Sequence, residues 1–411
     1  MTEGADASWQ ASVDASTPAV IFKLASDRLG HGPLGIARSL GRLGATVHVA
    51  TPDARTPAGL SRYVARSWVL ANPTDDDAVI RTLRGLVGRT GARPVLIAAD
   101  DVASLFVDRQ LTELRELFSL PDQPAGLPLE LSNKRLLHER CLELGIPTPE
   151  SRIPGSVAEA REAAAELGYP VVVKAADPRV LGMSDSPDSV AIVRDARQLD
   201  ALLAQVDPAV LPELLLQEYI PGDAQSVWMF NGYFGRDGTC PIGIVGQKIR
   251  QAPPRTGATS LGIVVDNEAV RELSTTFLQR LGYRGIVDMG VRFDERDGTY
   301  KILDVNPRIG ASFRLFVASG GLDVARALYL DMTGQPIPPA TAVPGRRWWV
   351  EDRDTATAIK LLRVGELGLP AYIGSLRGVD ERALLARDDL RPVAALIQAK
   401  TANLVRGLFR R

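Results

Sequence analysis

The segment ILDVNPRIGAS (residues 302–312) constrains the fold of this chain more than any other stretch. It places Asp304, Asn306 and Arg308 at alternate positions directly after an apolar run. Because successive side chains of a β-strand point to opposite faces, these three share one face. Carboxylate and amide oxygens suit a hard cation such as Mg²⁺, and arginine can bind a phosphate or carboxylate through two parallel hydrogen bonds. The segment therefore predicts a strand that ends at an anion and metal site.

A second acid is predicted on the neighbouring strand. The stretch GIVDMGVRFDERDG (residues 285–298) is typical of a strand followed by a turn at Asp297-Gly298. Asp288 lies on this strand, so the predicted metal ligands are Asp288, Asp304 and Asn306. A solvated polar face on an edge strand is the alternative, but it does not explain three such groups at the end of an apolar run.

Two lysines at the ends of earlier elements predict a phosphate site. Lys134 opens a helix after a Ser-Asn cap, and Lys174 closes the strand VVVKA. A loop rich in Gly and Ser follows Lys174 and contains Ser184. Ammonium groups act as point charges on phosphate oxygens, and backbone N–H groups of such a turn bind the remaining oxygens. Taken singly, each lysine is more simply a surface residue at the end of an element.

The segment QEYIPGD (residues 217–223) predicts a turn after an apolar strand. An ordinary hairpin with solvated acids is the simpler interpretation. The functional interpretation is a hinge between two lobes, whose backbone reads an adenine edge and whose last acid accepts ribose hydroxyls. The predicted nucleotide-binding residues of this hinge are Gln217, Glu218, Tyr219, Ile220 and Asp223.

A basic loop lies between two later strands. QKIRQAPPRTGATSLGI (residues 247–263) carries Lys248, Arg250 and Arg255, which are candidates for binding a substrate carboxylate or phosphates. Its small residues allow close backbone approach, and functional residues are frequent on such loops. A solvated loop is the alternative. Lys248 and Arg255 join Arg308 as the predicted catalytic groups, and Arg314 is a further candidate.

The first third of the chain predicts a parallel sheet with helices. Apolar strands at 19–24, 45–50 and 92–101 alternate with a helical period, as in a doubly wound α/β domain. Gly30, Gly32 and Gly35 are not a GxGxxG directly after a strand in the strict sense, so a dinucleotide site is weakly supported. A formal net charge of −1 excludes general nucleic-acid binding. The cysteines and histidines are scattered singly, which argues against structural zinc.

In this order, Lys134, Lys174 with its loop, QEYIPGD and LDVNPR resemble the ATP-grasp superfamily over residues 20–340. Within it, the chain looks most like the bacterial carboxylate–amine ligases. The resemblance implies ATP and Mg²⁺, and a reaction in which a carboxylate attacks the γ-phosphate before an amine displaces phosphate. It also implies an acid at the position aligned with Gly290. Here the nearest acid on that strand face is Asp288, two residues earlier.

Composition and resemblance together predict a multidomain α/β and α+β chain with the ATP-grasp fold. Its segments are a disordered tail (1–17), a Rossmann-like domain (18–130), a lid (131–220), a catalytic lobe (221–344) and a helix-rich C-terminal extension (345–411). The basic last helix is expected to pack on the core rather than to touch a membrane surface. A small polar N-terminus and the lack of an 18-residue apolar run predict a cytoplasmic protein, and the resemblance favours a homodimer.

Three functions remain open at this stage. The first is an ADP-forming carboxylate–amine ligase acting on small molecules. The second is a catalytically reduced ATP-binding sensor or partner protein, for which Gly290 is the support. The third is an ATP-grasp carboxylase that uses bicarbonate as its carboxylate. Release of ADP with an acid and an amine separates the first from the second.

Overall fold

The computed structural model describes residues 8–25, 30–175, 190–254 and 257–394. Within these ranges the strands form three sheets. The strands are β1 (Ala19–Phe22), β2 (Val47–Thr51), β3 (Val64–Val69), β4 (Val95–Ala98), β5 (Ser151–Arg152), β6 (Val171–Ala175), β7 (Val190–Val193), β8 (Leu214–Glu218), β9 (Val227–Phe234), β10 (Ile242–Ala252), β11 (Ala258–Val264), β12 (Gly285–Asp294), β13 (Thr299–Asn306), β14 (Arg347–Trp349) and β15 (Glu381–Arg382).

Helices connect these strands and cover the sheets. The α-helices are α1 (His31–Arg42), α2 (Asp76–Thr90), α3 (Asp101–Arg109), α4 (Leu111–Leu117), α5 (Leu127–Ser132), α6 (Lys134–Glu143), α7 (Val157–Leu167), α8 (Ala196–Leu203), α9 (Glu268–Arg280), α10 (Val324–Met332), α11 (Glu351–Arg363) and α12 (Leu369–Ser375). In the described part of the chain, none of them is both long and apolar enough to cross a bilayer.

The N-terminal sheet is parallel, with the order β3-β2-β1-β4. Its central strand β1 is buried on both faces: Ile21 packs into one apolar core and Val20 into another. Such continuous apolar runs are expected of parallel strands covered by helices on both sides. The predicted Rossmann-like arrangement is confirmed.

Glycines in α1 serve close packing against a later segment. A Cβ added at Gly35 would lie 2.8 Å from the ring of Phe313, and one added at Gly32 would lie 3.4 Å from the Cα of Ala311. Helix α1 therefore approaches the segment directly after β13 at backbone distance. This contact gives Gly32 and Gly35 a packing role that needs no dinucleotide site.

The small sheet is antiparallel, with the order β5-β8-β6-β7. Alternate residues of β6, such as Val171 and Val173, pack against Ala160 and Ala164 of α7 and Leu199 of α8. The helices thus cover one face of this sheet. Residues 131–143, predicted to belong to the lid, instead pack with the large sheet, because Leu137 and Cys141 of α6 lie in its core.

The large sheet has the strand order β13-β12-β9-β10-β11-β14-β15. Helices α5, α6 and α9 bury one face, where Phe277 meets Phe230 and Val287. Helices α1 and α10 bury part of the other face, where Ile286 and Tyr233 lie. The predicted β12–β13 hairpin is confirmed, with Asp288 paired to Asn306 and Gly290 to Asp304.

The C-terminal extension is built into the core rather than appended as helices. Its strand β14 pairs with β11, and β15 pairs with β14, so both extend the large sheet. It also completes the N-terminal domain. Arg38 of α1 is buried and donates hydrogen bonds to the Asp389 carboxylate (3.0 Å) and to the carbonyl oxygens of Ala383, Leu384 and Asp389. The extension contains α11 and α12, as the helix-rich prediction implies; its two strands were not predicted because strands of two or three residues leave no periodic pattern.

The N-terminal segment is also docked where it is described. The Trp9 indole donates to the carbonyl oxygen of Gly320 at 3.1 Å, and the backbone N–H of Asp14 donates to the Gln335 side chain at 2.7 Å. The prediction of a disordered tail is therefore wrong for residues 8–17. Residues 1–7 and the predicted last helix from 395 onward lie outside the described residues.

Candidate active site

The candidate metal ligands lie together on one face of the β12–β13 hairpin. Cross-strand pairing brings Asp288, Asp304 and Asn306 to one face. The Asn306 amide donates to the backbone oxygen of Asp288 at 3.2 Å and to Asp304 Oδ2 at 3.4 Å. These bonds hold the Asn306 side chain between the two acids.

Gly290 is explained by the position of Asp304. A Cβ added at Gly290 would lie 2.0 Å from Asp304 Oδ1, so the carboxylate occupies the space that a side chain at 290 needs. A Cβ added at Gly310 would similarly lie 2.5 Å from the Asp288 carboxyl carbon. Asp288 is the acid that pairs with Asn306 across the strands, and Gly290 leaves room for the side chain of Asp304, with which it pairs.

Three lysines from three different elements converge on Asp304. Lys134 begins α6, whose cap Asn133 accepts from the backbone N–H of Leu136 at 3.1 Å. Lys174 ends β6 of the small sheet, and its Nζ donates to the backbone oxygen of Leu303 at 3.3 Å. Lys248 of β10 donates to the backbone oxygen of Gly257 at 3.2 Å. The site is thus shared between the small sheet and the large one.

Burial and the neighbouring charges shift the pKa values of the groups in this site. Burial raises the pKa of Asp304, but the three ammonium groups outweigh it and hold that pKa below its usual value. Burial and the nearby Lys134 lower the pKa of Lys174 to about 8, and burial lowers that of Lys248. Burial raises the pKa of Asp288 to about 6. Among the described residues, no ion pair within 4.0 Å joins any of the three lysines to an acid.

Arg308 connects this site to the N-terminal domain. Strand β13 ends at Asn306, so Arg308 lies in the following turn rather than on the strand as predicted. Its Nε and Nη2 donate to the two carboxylate oxygens of Asp101, at 2.8 and 3.2 Å. Its Nη1 lies 4.0 Å from Asp288 Oδ2. Asp101 begins α3 directly after β4, at the carboxyl end of the parallel sheet, where α/β folds bind ligands.

The predicted hinge joins two sheets, since β8 belongs to the small sheet and β9 to the large one. Gln217 is buried and donates to Ser151 Oγ at 3.0 Å. Glu218 bonds to Lys301, Arg296 and the backbone N–H of Glu150. Its carboxylate is therefore engaged in the fold, and nucleotide binding at Glu218 stays a prediction.

Three other residues of the hinge, Tyr219, Ile220 and Asp223, are placed where they could contact a nucleotide. The backbones of Tyr219 and Ile220 follow β8 directly, and Ile220 is buried. Asp223 accepts from the backbone N–H groups of Gln225 and Ser226, at 2.8 and 3.2 Å, which fixes the turn into β9. These three residues remain candidates for the base and ribose contacts.

Sequence reasoning missed two polar residues on this face. Asn231 of β9 pairs with Asp288 and is fully buried, and its Oδ1 has no hydrogen-bond partner within the described residues. Arg292 of β12 donates to the backbone oxygen of Gly222 at 2.8 Å, while its Nε is buried without a partner there. One polar residue inside the apolar run VWMFNGYF was an available signal for Asn231.

Other predicted residues have structural partners or are not described. Arg250 forms a buried ion pair with Asp354, with both nitrogen–oxygen distances below 3.0 Å. Arg314 pairs with Asp323 and Glu381. Neither is therefore free to bind a substrate, contrary to prediction. Arg255 and Ser184 lie outside the described residues.

The donor set fits Mg²⁺. Within the described ranges no group of three or more His, Cys, Asp and Glu side chains suits a metal ion. Asp288, Asp304 and Asn306 instead supply two carboxylates and an amide, which leaves positions for phosphate oxygens and water. Mg²⁺ in phosphate-binding sites is typically held in this way. The buried and unpartnered Asn231 Oδ1 is a further oxygen beside this set.

Comparison with known proteins identifies a domain in this chain. Residues 131–312 match the ATP-grasp domain, so the chain contains such a domain. The matched range includes every described residue assigned above to phosphate, metal or hinge. ATP-grasp proteins bind ATP with Mg²⁺.

Individual relatives are distant. The chain is 26% identical over 268 residues to the D-aspartate ligase of Enterococcus faecium, and the match spans 63% of each protein. An L-amino acid ligase from Bacillus licheniformis superposes with a TM-score of 0.57 at 18% identity, covering 78% of this chain and 75% of that one. The biotin carboxylase domain of the Hydrogenobacter thermophilus 2-oxoglutarate carboxylase, solved with MgADP and bicarbonate, gives 0.59 at 16%, covering 80% and 73%. These likenesses establish the ATP-grasp fold.

Proposed function

We propose that this chain, which contains an ATP-grasp domain and has the ATP-grasp fold, is an ADP-forming ligase that couples a carboxylic acid to an amine. The observation that carries the proposal is the convergence of Lys134, Lys174 and Lys248 on Asp304, opposite Asp288. These cations need anionic oxygens beyond those that the chain supplies, and a nucleotide triphosphate brings them. The distant D-aspartate ligase supports the choice of a carboxylate and an amine as substrates.

The chemistry explains why such a site suffices. A carboxylate is a poor acyl donor because oxide is a poor leaving group, and transfer of the γ-phosphoryl group provides a better one. The acid oxygen attacks phosphorus and ADP leaves; the amine then attacks the acyl carbon and phosphate leaves. Catalysis of phosphoryl transfer consists mainly of positioning and charge stabilisation. It needs no nucleophilic Ser, Cys or His.

Each part of the site has a proposed role. The three lysines bind phosphate oxygens, and the hinge at Tyr219 and Ile220 binds the base. Asp288, Asp304 and Asn306 would hold Mg²⁺, which neutralises phosphate charge when bound. Arg308 orients the carboxylate of the acid. The small sheet, which carries Lys174, limits the access of water that would hydrolyse the acylphosphate.

Hydroxylamine allows a test without knowledge of the amine, because it converts an acylphosphate to a stable hydroxamate. Purified protein is incubated with MgATP, hydroxylamine and a panel of carboxylic acids, and both ADP and hydroxamate are measured. We expect Asp304→Asn to lower the rate by about 10²- to 10³-fold, the range for loss of one charge-stabilising group. Asp266→Asn, at an exposed acid before α9, should leave the rate unchanged. Equal ADP release by the wild type and Asp304→Asn would contradict the site assignment.

The two alternatives give different results in the same assay. A silent sensor binds ATP but releases no ADP with any acid. The glycine at position 290, which supported this alternative, is now explained by the Asp304 carboxylate that fills the space above it. A carboxylase releases ADP with bicarbonate and forms no hydroxamate from the acid panel. The expected homodimer stays a prediction, which sedimentation velocity tests.

A further inference from the structure

A mainly apolar cavity lies beside the candidate site, between the N-terminal domain and the large sheet. Its volume is about 90 Å³, several times what one water molecule needs. Its apolar walls come from β4, α3, α4, the loop before α5, β12 and the segment after β13. The side chains that form them include Leu96, Val107, Leu111, Leu120, Ile286 and Ile309.

The hinge contact, the metal ligands and the cavity follow one another along strand β12. Arg292 contacts the hinge at Gly222, Asp288 lies among the metal ligands, and Ile286 lines the cavity. At a strand rise of about 3.3 Å per residue, Arg292 and Asp288 are about 13 Å apart, and Ile286 lies about 7 Å further on. A nucleotide with its base at the hinge and its phosphates at the lysines therefore directs its last phosphate toward the cavity.

Arg308 stands between the cavity and the metal ligands. It lines the cavity, its Nη1 is 4.0 Å from Asp288 Oδ2, and it pairs with the half-exposed Asp101. Its Nε and Nη2 already bind Asp101, and its Nη1 also donates to the Ile309 backbone oxygen at 3.2 Å. A substrate carboxylate would therefore take the place of the exposed Asp101 carboxylate at the guanidinium. A carboxylate at Arg308 would be next to the phosphates, and the rest of its molecule would extend into the cavity.

The polar groups of the cavity wall are already used within the protein. The Tyr283 hydroxyl donates to the Ile286 backbone oxygen at 2.6 Å. The Arg284 side chain donates to the backbone oxygens of Arg236 and Tyr283, at 3.2 and 2.8 Å, and Gln123 Oε1 accepts from the Arg284 backbone N–H at 2.9 Å. The Asp108 carboxylate also lines the cavity and accepts from the Gly126 backbone N–H at 2.9 Å. An occupant thus meets mainly apolar surface, polar groups that already have partners and one acid, so a second negative charge buried there would be costly.

Building on the proposed function, we propose that the acid substrate has a small apolar body that occupies this cavity while its carboxylate binds Arg308. The preferred acids are aliphatic or compact aromatic ones. Acids with a second negative charge are excluded, in contrast to the substrate named for the D-aspartate ligase. Val107, Leu111 and Leu120 determine this specificity.

The experiment compares acids of similar size in the hydroxamate assay: leucine against aspartate in both enantiomers, and 4-methylpentanoate against succinate. We expect kcat/KM to be about tenfold or more higher for the apolar member of a pair, the range for burying one aliphatic side chain. Val107→Phe fills the cavity and should lower kcat/KM for the apolar acid by a similar factor with KM for ATP unchanged. Val102→Phe is the matched control, since Val102 lies on the same helix but is half exposed.

The outcomes separate this inference from the function on which it rests. Hydroxamate formed from aspartate or succinate as fast as from the apolar acids overturns the inference and leaves the ligase intact. Equal kcat/KM for Val107→Phe and Val102→Phe with the apolar acid also overturns it. If Val107→Phe does not fold, Leu111→Trp narrows the cavity from the neighbouring helix and is held to the same criterion. An absence of hydroxamate and ADP with every acid overturns the proposed function, and the inference with it.

Discussion

The β12–β13 hairpin carries two groups of charged residues that differ in how their charges are compensated. The active cluster consists of Asp288, Asp304 and Asn306 with Lys134, Lys174 and Lys248. The turn cluster consists of Asp294, Arg296, Asp297 and Lys301 with Glu218. In the turn cluster, Lys301 Nζ lies 2.8 Å from Asp294, 3.0 Å from Glu218 and 3.0 Å from Asp297, whereas the active-cluster lysines have no such pairs among the described residues.

The pKa shifts of the lysines run in opposite directions in the two clusters. Asp294 and Asp288 also differ in this way, whereas the pKa of Asp304 is lowered like that of Asp294. In the turn cluster, the hydrogen bond from Arg296 lowers the pKa of Asp294. Burial opposes the charge of Lys301, but its bonds to Asp294 and Glu218 prevail and raise its pKa. In the active cluster the pKa of Lys174 falls and that of Asp288 rises. The turn cluster stabilises its own charges, while the active cluster is completed by charges from a ligand.

The largest effect on stability is expected in the turn cluster. Lys301→Met leaves the buried Asp294 and its neighbour Glu218 with Arg296 as their remaining cation. Removing one partner of a buried ion pair typically costs about 3–5 kcal/mol. Urea unfolding of the wild type and Lys301→Met measures this loss. An unchanged unfolding midpoint would show that the turn cluster is not structural, and the comparison would fail.

The same substitution in the active cluster should affect binding instead. Lys174→Met removes an ammonium group whose charged form the fold disfavours, so the unfolding midpoint should not fall. Loss of a charged hydrogen bond to phosphate, worth about 1.5–3 kcal/mol, should weaken ATP binding about ten- to a hundredfold. Titration calorimetry with MgATP measures the affinity. A loss of stability like that of Lys301→Met would make the two clusters equivalent.

His31 extends the comparison to a buried ionisable group outside both clusters. Burial and the positive charge of Arg353 lower its pKa to about 4, against the opposing effect of Asp352. Between about pH 6.5 and 4 the unfolded chain binds a proton that the folded protein does not, so stability falls as the pH falls. From pH 7 to pH 5 the loss is about 2 kcal/mol.

His31→Gln removes this pH dependence. Urea unfolding at pH 7 and pH 5 should show the wild type losing about 2 kcal/mol more than the variant. Parallel losses in the two proteins would mean that the imidazole is accessible to protons in the folded state. His31 would then no longer be an example, beside Lys174 and Asp288 of the active cluster, of a group whose charged form the fold disfavours.

The sequence predicted those parts of the site that depend on local pattern. Alternation placed Asp304 and Asn306 on one face, and a turn signal joined them to the strand of Asp288. Arg250 and Arg314 were misassigned because their partners Asp354 and Glu381 lie 104 and 67 residues away. Their charges looked free in the sequence, and only the folded chain brings the acids to them.

Register explains the other differences. Asn231 belongs to the site because β9 pairs with β12 so that it lies beside Asp288. The lone polar residue in the run VWMFNGYF marks Asn231, but its position beside Asp288 depends on how two distant strands align, which no local pattern contains. The partners of the Glu218 carboxylate could not be predicted for a similar reason, because Arg296 and Lys301 come from the β12–β13 hairpin about 80 residues later. The backbone positions of the hinge, which depend on local sequence alone, were placed correctly next to β8.

The hydrogen bonds of Arg38 have a consequence for how the protein is made. This arginine lies in the first helix, yet its carboxylate partner is 351 residues further along the chain. While a ribosome is still translating the middle of the message, the N-terminal domain holds a guanidinium that nothing yet neutralises. Premature termination before Ala383 would therefore leave a product in which Arg38 lacks all of the partners that its guanidinium has in the complete fold.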